Sequence, residues 1–225
     1  MLAAIAAFSG AAHAARPLST DDAGVIAPRA CELEGGRAVA RADGASAGAT
    51  GVALACGLGA DTQLGLAYDR ARAGGETARG LSLLGKTQLW SGGDGGPAVA
   101  LGYAAGWARS ASSGWRHEAT ALRLIGSHPA GPVVLHANMG HARDEAAGLR
   151  ATTWGLAAES VEVPAAGLGW APVAELFGDD RGDRWGAVGL RLTLLPERLF
   201  LDAAWARQLV AEKARVWCLG FKFAF

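Results

Sequence analysis

The sequence predicts an all-β protein, an antiparallel transmembrane β-barrel of about 12 strands with short loops on both sides. Three observations predict it. After a polar lead, segments of about ten residues that alternate apolar with small or polar residues repeat to the end of the chain. The last of them puts Trp217, Leu219, Phe221, Phe223 and Phe225 on one face and finishes on an aromatic residue. Finally, the 225 residues include 33 glycines. In a helical bundle each interior Gly costs about 0.5–1 kcal/mol relative to Ala, whereas twisted strands and tight turns accommodate them.

The elements follow in chain order. Residues 1–14 read as a signal peptide: Leu2 to Ala12 is small and apolar, and Ala12-His13-Ala14 has the small-x-small pattern of a cleavage site. No Lys or Arg precedes Arg16, so the basic n-region is missing and the signal reads as truncated or atypical. Beyond it there is no uninterrupted apolar run long enough for a spanning helix, which needs about 18 residues. A chain of this kind crosses a membrane only as a barrel. Residues 15–29 form a polar N-terminal segment stiffened by Pro17 and long enough to enter the periplasmic mouth. Arg16, Asp21 and Asp22 make it a plug candidate, with the carboxylates meeting lumen arginines; a flexible linker is the alternative.

Residues 30–225 are the expected transmembrane β-barrel. Twelve segments are legible, at roughly 31–42, 50–58, 62–72, 80–90, 97–108, 115–127, 132–142, 150–160, 168–177, 185–195, 198–208 and 213–225. The number is even, as single-chain barrels with both termini on the periplasmic side require. Val52, Leu54, Cys56 and Leu58 alternate with Gly and Ala, and Val188, Leu190, Leu192 and Leu194 alternate with Gly189, Arg191 and Thr193. Because strand side chains alternate between faces, each list is one surface. Expected periplasmic turns are Gly59-Ala60, 92–96, Pro129-Ala130-Gly131 and Pro196-Glu197. Expected outer loops are 43–49, 74–79, 110–114, 143–149 and 178–184, all too short for an adhesin or a protein receptor. Trp107, Trp115, Trp185 and Trp205 fall near outer loops, and Trp90 and Trp170 near periplasmic turns, as interfacial girdles require.

If the apolar parity faces lipid, the other faces the lumen. The last four strands then direct Glu175, Arg191, Asp202 and Lys222 inward with alternating sign, and earlier strands add Lys86, Arg123, His136, Asn138 and Glu159. A lone charge in low dielectric costs several kcal/mol, so these nine lumen-lining candidates should pair across neighbouring strands or meet water. They describe either a polar channel or a salt-bridge network that fills a narrow barrel.

Other chemistries are weaker. Lys plus Arg and Asp plus Glu are 21 each, which leaves no net charge to attract nucleic acid. Nucleophilic catalysis needs a serine within reach of an oriented histidine. His117, His128, His136 and His141 with Ser112, Ser113, Ser127 and Ser160 supply the candidates. His128 merely neighbours Ser127 in a turn, and no serine is evident opposite His136 and Asn138, so no enzyme is expected. Asp179, Asp180 and Asp183 could hold Ca²⁺, but two arginines share their seven residues. The glycines at 92–96 precede no helix and read as a turn. No metal or other cofactor is expected. Cys31, Cys56 and Cys218 lack metal-site spacing. Cys31 and Cys56 lie near the periplasmic ends of adjacent strands, where a disulfide or two free thiols fit equally.

The lead Ala15-Arg16-Pro17-Leu18-Ser19-Thr20-Asp21-Asp22-Ala23-Gly24, followed by Cys31-Glu32-Leu33-Glu34, resembles the outer-membrane, transporter-like β-barrel proteins grouped as the meta-pathway phenol degradation family. The resemblance covers about twenty residues with specificity, and the rest only as barrel pattern and aromatic terminus. It implies a Cys31–Cys56 disulfide and passage of small aromatic or hydrophobic solutes through the outer membrane. Family members are longer, with larger outer loops. The expectation is therefore an outer-membrane barrel acting as a narrow channel or passive transporter for small solutes. The alternative is a structural barrel with a closed, salt-bridged lumen, and a lipid hydrolase is the least favoured. Expected partners are outer-membrane lipid, a small-molecule solute, and the barrel-assembly machinery, which would read Phe221, Phe223 and Phe225.

Overall fold

The computed structural model describes residues 18–225, apart from residue 94 and residues 211–212. The signal assignment at 1–14 and Arg16 lie outside the described residues. The strands are β1 (Cys31–Ala42), β2 (Ala45–Gly59), β3 (Thr62–Ala73), β4 (Glu76–Ser91), β5 (Ala98–Ser110), β6 (Arg116–Ala130) and β7 (Val133–Asp144). They continue as β8 (Leu149–Ser160), β9 (Val163–Ala165), β10 (Leu168–Asp179), β11 (Arg184–Leu195), β12 (Leu199–Gln208) and β13 (Arg215–Ala224).

Sequential strands pair antiparallel, and β13 pairs back onto β1 from Glu32↔Ala224 to Arg41↔Arg215. Closure removes both sheet edges, the one arrangement in which a sheet can span lipid with every backbone group satisfied. With β9 only three residues long, twelve strands form the wall. β9 and the start of β10 make a small hairpin on the periplasmic side, one residue out of register with β8–β10. No strand was expected there.

The outer loops are shorter than the sequence suggests. Asp43 and Gly44 have φ of 44° and 79°, and Gly74 and Gly75 have 57° and 85°. Two consecutive positive-φ residues make the tightest hairpin turn. β2 and β4 therefore begin at Ala45 and Glu76, and most of the loops expected at 43–49 and 74–79 is strand. Small residues beside these turns read as loop, although Ala and Gly in a barrel wall are lumen-facing strand. Likewise Pro129 lies inside β6, and the turn falls after Ala130.

The outward parity carries the apolar belt. Leu54, Leu66, Leu124, Leu156, Val188 and Leu219 are all exposed, an arrangement that lipid stabilises and water would not. Trp205 and Trp217 face each other on this surface at the outer end, and Trp90 and Trp170 mark the periplasmic end. Trp185 departs from the expected girdle. It shares the inward parity of Ala187 and Arg191, is 4% exposed, and stacks on Phe177 with centroids 6.2 Å apart and planes at 7°.

Candidate functional site

The lumen is built from the inward parity of the twelve strands, and two polar systems occupy its periplasmic half. The first spans β7, β8, β11, β12, β13 and β1. Arg191 and Asp202 are opposed in the β11–β12 register, so the guanidinium forks onto the carboxylate, Nε to Oδ1 at 2.9 Å and Nη2 to Oδ2 at 3.3 Å. Its third nitrogen lies 3.5 Å from Glu159 Oε1, and Glu159 Oε2 lies 3.7 Å from His136 Nε2. Lys222 Nζ donates to Glu32 Oε1 at 2.9 Å. Arg191 and Lys222 both lie over the Phe200 ring, at 5.7 and 5.1 Å. With Asp202 buried, its charge and that of Arg191 survive through mutual pairing, as buried ions must.

The second system is the chain's own N-terminal segment. Residues 18–30 run across the inner wall from β10 to β2. The Ser19 and Thr20 N–H groups donate to the buried Glu175 carboxylate at 2.8 and 2.9 Å. Arg123 Nη1 donates to Asp21 Oδ2 at 2.6 Å. With its amide turned so that both ends meet a partner, Asn138 accepts from the Asp21 N–H at 2.6 Å and donates to the Asp21 carbonyl at 3.0 Å. Lys86 Nζ donates to the Asp22 carbonyl at 2.9 Å and lies 3.7 Å from Asp22 Oδ1. Ser127 Oγ accepts from Ala23 N–H, Gln88 donates to the Ala23 carbonyl, and Gln63 accepts from Ile26 N–H. At the root, Arg29 N–H donates to the Gly57 carbonyl at 3.2 Å.

Two glycines make room. A Cβ on Gly57 would sit 2.2 Å from the Ala27 carbonyl oxygen and 2.3 Å from that of Ile26. A Cβ on Gly155 would sit 2.5 Å from Thr20 Oγ1. The segment is thus accommodated by the wall and held mainly by hydrogen bonds and ion pairs. Its one apolar seat is Ala23, fully buried against Ala100 and Ile125.

The candidates therefore divide. Arg191, Asp202, Glu159, His136 and Lys222 belong to the wall network, and Lys86, Arg123, Asn138 and Glu175 to the segment. Glu175 does not pair across to Arg191 as the sign alternation suggested; its partners are backbone N–H groups. Glu32, Asp69, Gln63 and Gln88 were not among the lumen candidates, and Ser127 was weighed only as a nucleophile, although parity carries the signal. Leu33 facing out puts Glu32 in, and Tyr68 facing out puts Asp69 in.

The serine that the sequence did not place opposite His136 is there. Ser127 is its direct partner in the β6–β7 register, with Oγ 2.8 Å from His136 Nδ1. Together with Glu159 this gives the residue types of a nucleophile, base and orienting acid. Their surroundings assign them elsewhere: Ala23 N–H occupies the Ser127 oxygen, and Glu159 is engaged by Arg191. The aspartates at 179–183 likewise hold their own turn, with Asp179 accepting from the N–H groups of Arg181 and Asp183.

At the seam, Cys31 and Phe225 exchange backbone hydrogen bonds of 2.7 and 2.9 Å. Phe223 stacks on Phe225 at 5.6 Å, and Phe221 packs its ring over Gly35. A disulfide joins Cys31 to Cys56, directly opposed in the β1–β2 register and close to the root of the segment.

The outer half of the lumen is different. Its wall is largely Ala and Gly, with Ala38, Ala40, Ala49 and Ala104 only partly buried. On one side the Trp185–Val216–Ala214 cluster narrows it.

No protein-family model matches the sequence, and no curated protein does either. Solved structures do match. The KdgM porin superposes with a TM-score of 0.60 at 7% identity, over 86% of this chain and 99% of that one; another structure of it is described as a complex with disordered oligogalacturonate. The NanC porin gives 0.56 at 10% identity, over 86% and 98%. The β domain of the Bordetella autotransporter BrkA gives 0.56 at 16% identity, over 87% and 98%. At these identities the likeness is one of fold, and the fold is that of the bacterial outer-membrane β-barrel.

Proposed function

We propose that the protein acts in the outer membrane as a narrow, non-enzymatic channel for small solutes, with residues 18–30 as an internal plug. The observation that carries this is the chemistry of the segment's seat. Barrels closed for structure are filled by large side chains from the wall. Here many inward wall positions of the outer half are Ala and Gly, such as Ala38, Ala40, Ala49 and Ala104, and the periplasmic half is filled on one side by a detachable strip of chain. Apart from the Ala23 seat, the contacts of that strip are exchangeable hydrogen bonds or ion pairs, each worth about 0.5–3 kcal/mol. The fold shared with the KdgM and NanC porins supports the channel reading. The resemblance of residues 15–24 to the phenol degradation family supports small aromatic or hydrophobic compounds as the solute.

Swelling of liposomes that contain the purified full chain tests this. Entry of small neutral solutes with a sharp size cut-off is expected. Liposomes as tight as protein-free ones, with and without the segment, would reject the channel. They would favour the second reading, a structural barrel whose lumen the Arg191–Asp202–Glu159 network closes.

A further inference from the structure

The lipid-facing wall carries a feature unrelated to passage. Of the 21 basic residues other than His, 18 are arginine, and many sit on the outward parity at the outer end. Two rows stand out. Arg207, Arg215 and Arg41 are consecutive cross-strand partners on β12, β13 and β1. Arg70, Arg79 and Arg109 are consecutive partners on β3, β4 and β5. All six side chains are exposed. Among the described residues no carboxylate lies within ion-pair distance of any of them. The outward faces of these six strands hold no Asp or Glu at all; their acids, such as Glu32, Asp69 and Asp202, point into the lumen.

Like charges placed directly opposite each other on a sheet are destabilising, so two rows of three demand an anion. Their depth says which. One residue pair further toward the membrane centre lie Trp205↔Trp217 below the first row and Tyr68, Leu81 and Trp107 below the second. Such aromatics settle at headgroup level. The arginines, about 7 Å further along the strand, reach the phosphates beyond. At the periplasmic end the same faces present Leu33, Phe223 and Leu199, so the demand belongs to the outer leaflet alone.

The two rows are separated by β2 only. Its outward positions at this height are Ser46, Gly48 and Thr50, opposite Arg41, Arg72 and Arg70 respectively. This is a low, hydroxylated platform about 10 Å across, two strand spacings, along which the two rows are offset from Ser46 to Thr50, about 13 Å, and it is flanked by guanidinium groups suited to fork onto phosphate. We infer that the β12–β5 face binds the bisphosphorylated disaccharide headgroup of outer-leaflet glycolipid, one phosphate on each arginine row and the sugar over β2. A single-phosphate phospholipid engages one row per molecule, whereas a bisphosphorylated headgroup engages both at once and so binds more tightly at equal concentration. The inference rests on the barrel spanning the outer membrane and not on its being a channel.

The test uses the full chain in detergent micelles, with native mass spectrometry and thermal unfolding as readouts. The probes are lipid A, the same lipid with both phosphates removed, and phosphatidylglycerol. Lipid A should bind and raise the unfolding temperature, while at equal concentration the dephosphorylated lipid should do neither and phosphatidylglycerol should bind more weakly. The R41Q/R207Q/R215Q and R70Q/R79Q/R109Q variants should each bind lipid A roughly tenfold or more weakly, the factor that loss of one charge-assisted hydrogen bond represents. Equal binding of phosphorylated and dephosphorylated lipid, equal binding of phosphatidylglycerol, or wild-type affinity in both variants would overturn the site. Slower gel migration after boiling checks that each variant still folds as a barrel. Should neither fold, the comparison of the three lipids on the wild-type protein decides alone.

Discussion

At the scale of single residues, Arg191 holds the wall network together. Its guanidinium forks onto Asp202, which is 5% exposed, and it also reaches Glu159. Removing one member of a buried ion pair strands the other, at roughly 3–5 kcal/mol. Arg191→Leu should therefore lower the denaturant midpoint in micelles well beyond the effect of an exposed Arg181→Leu. Replacing both Arg191 and Asp202 with apolar residues should recover much of the loss. Equal midpoints for the Arg191 and Arg181 variants would show the network to be ornamental. Glu175 acts on the segment instead. Glu175→Gln weakens charge-assisted bonds to the Ser19 and Thr20 N–H groups, each worth about 1.5–3 kcal/mol. A cysteine introduced at Ser19, in a chain with Cys218 replaced by serine, should then react faster with a maleimide. An unchanged rate would mean that Glu175 does not hold the segment.

At the scale of elements, the segment is seated by the absence of side chains on β2 and β8. Gly57→Ala should displace its root, because the clash is with backbone oxygens that cannot rotate away. Gly155→Ala should be milder, since Thr20 can change rotamer. Maleimide access at position 19 should rise in the order wild type, Gly155→Ala, Gly57→Ala, and the reverse order would contradict this seating. The Cys31–Cys56 bridge closes a sequence separation of 25 residues. Its reduction should cost about 2–4 kcal/mol, visible as a lower unfolding temperature in the presence of a reductant.

The same elements show what the sequence could and could not tell. Period-two alternation places Leu54, Val188 and Leu219 on one surface with no further information, so strand number and facing were legible. Loop length was not: whether Ala45 to Ala49 is loop or strand depends on φ at Asp43 and Gly44. Nor was cross-strand register. Ser127 meets His136 only because the β6–β7 turn is at residues 131–132, beginning two residues later than Pro129 suggested. The carboxylates of Asp21 and Asp22 were legible as seeking lumen cations. That they meet Arg123 and Lys86, and that Glu175 turns to backbone N–H groups, depends on a three-dimensional path that no periodicity encodes.

At the scale of the whole molecule, two zones stack along one axis: an outer half whose wall is largely small residues, and a periplasmic half shared by the wall network on one side and the segment on the other. Membrane barrels of this kind resist unfolding in SDS until heated, and slower migration of boiled over unboiled protein is expected. Identical migration would count against the barrel itself. The proposed plug makes a direct prediction about conductance. Single-channel recording in planar bilayers, comparing the full chain with one lacking residues 18–28, addresses it most directly. Small or intermittent conductance is expected for the full chain and a larger, steadier conductance for the truncated one. Equal conductance in two folded barrels would contradict it.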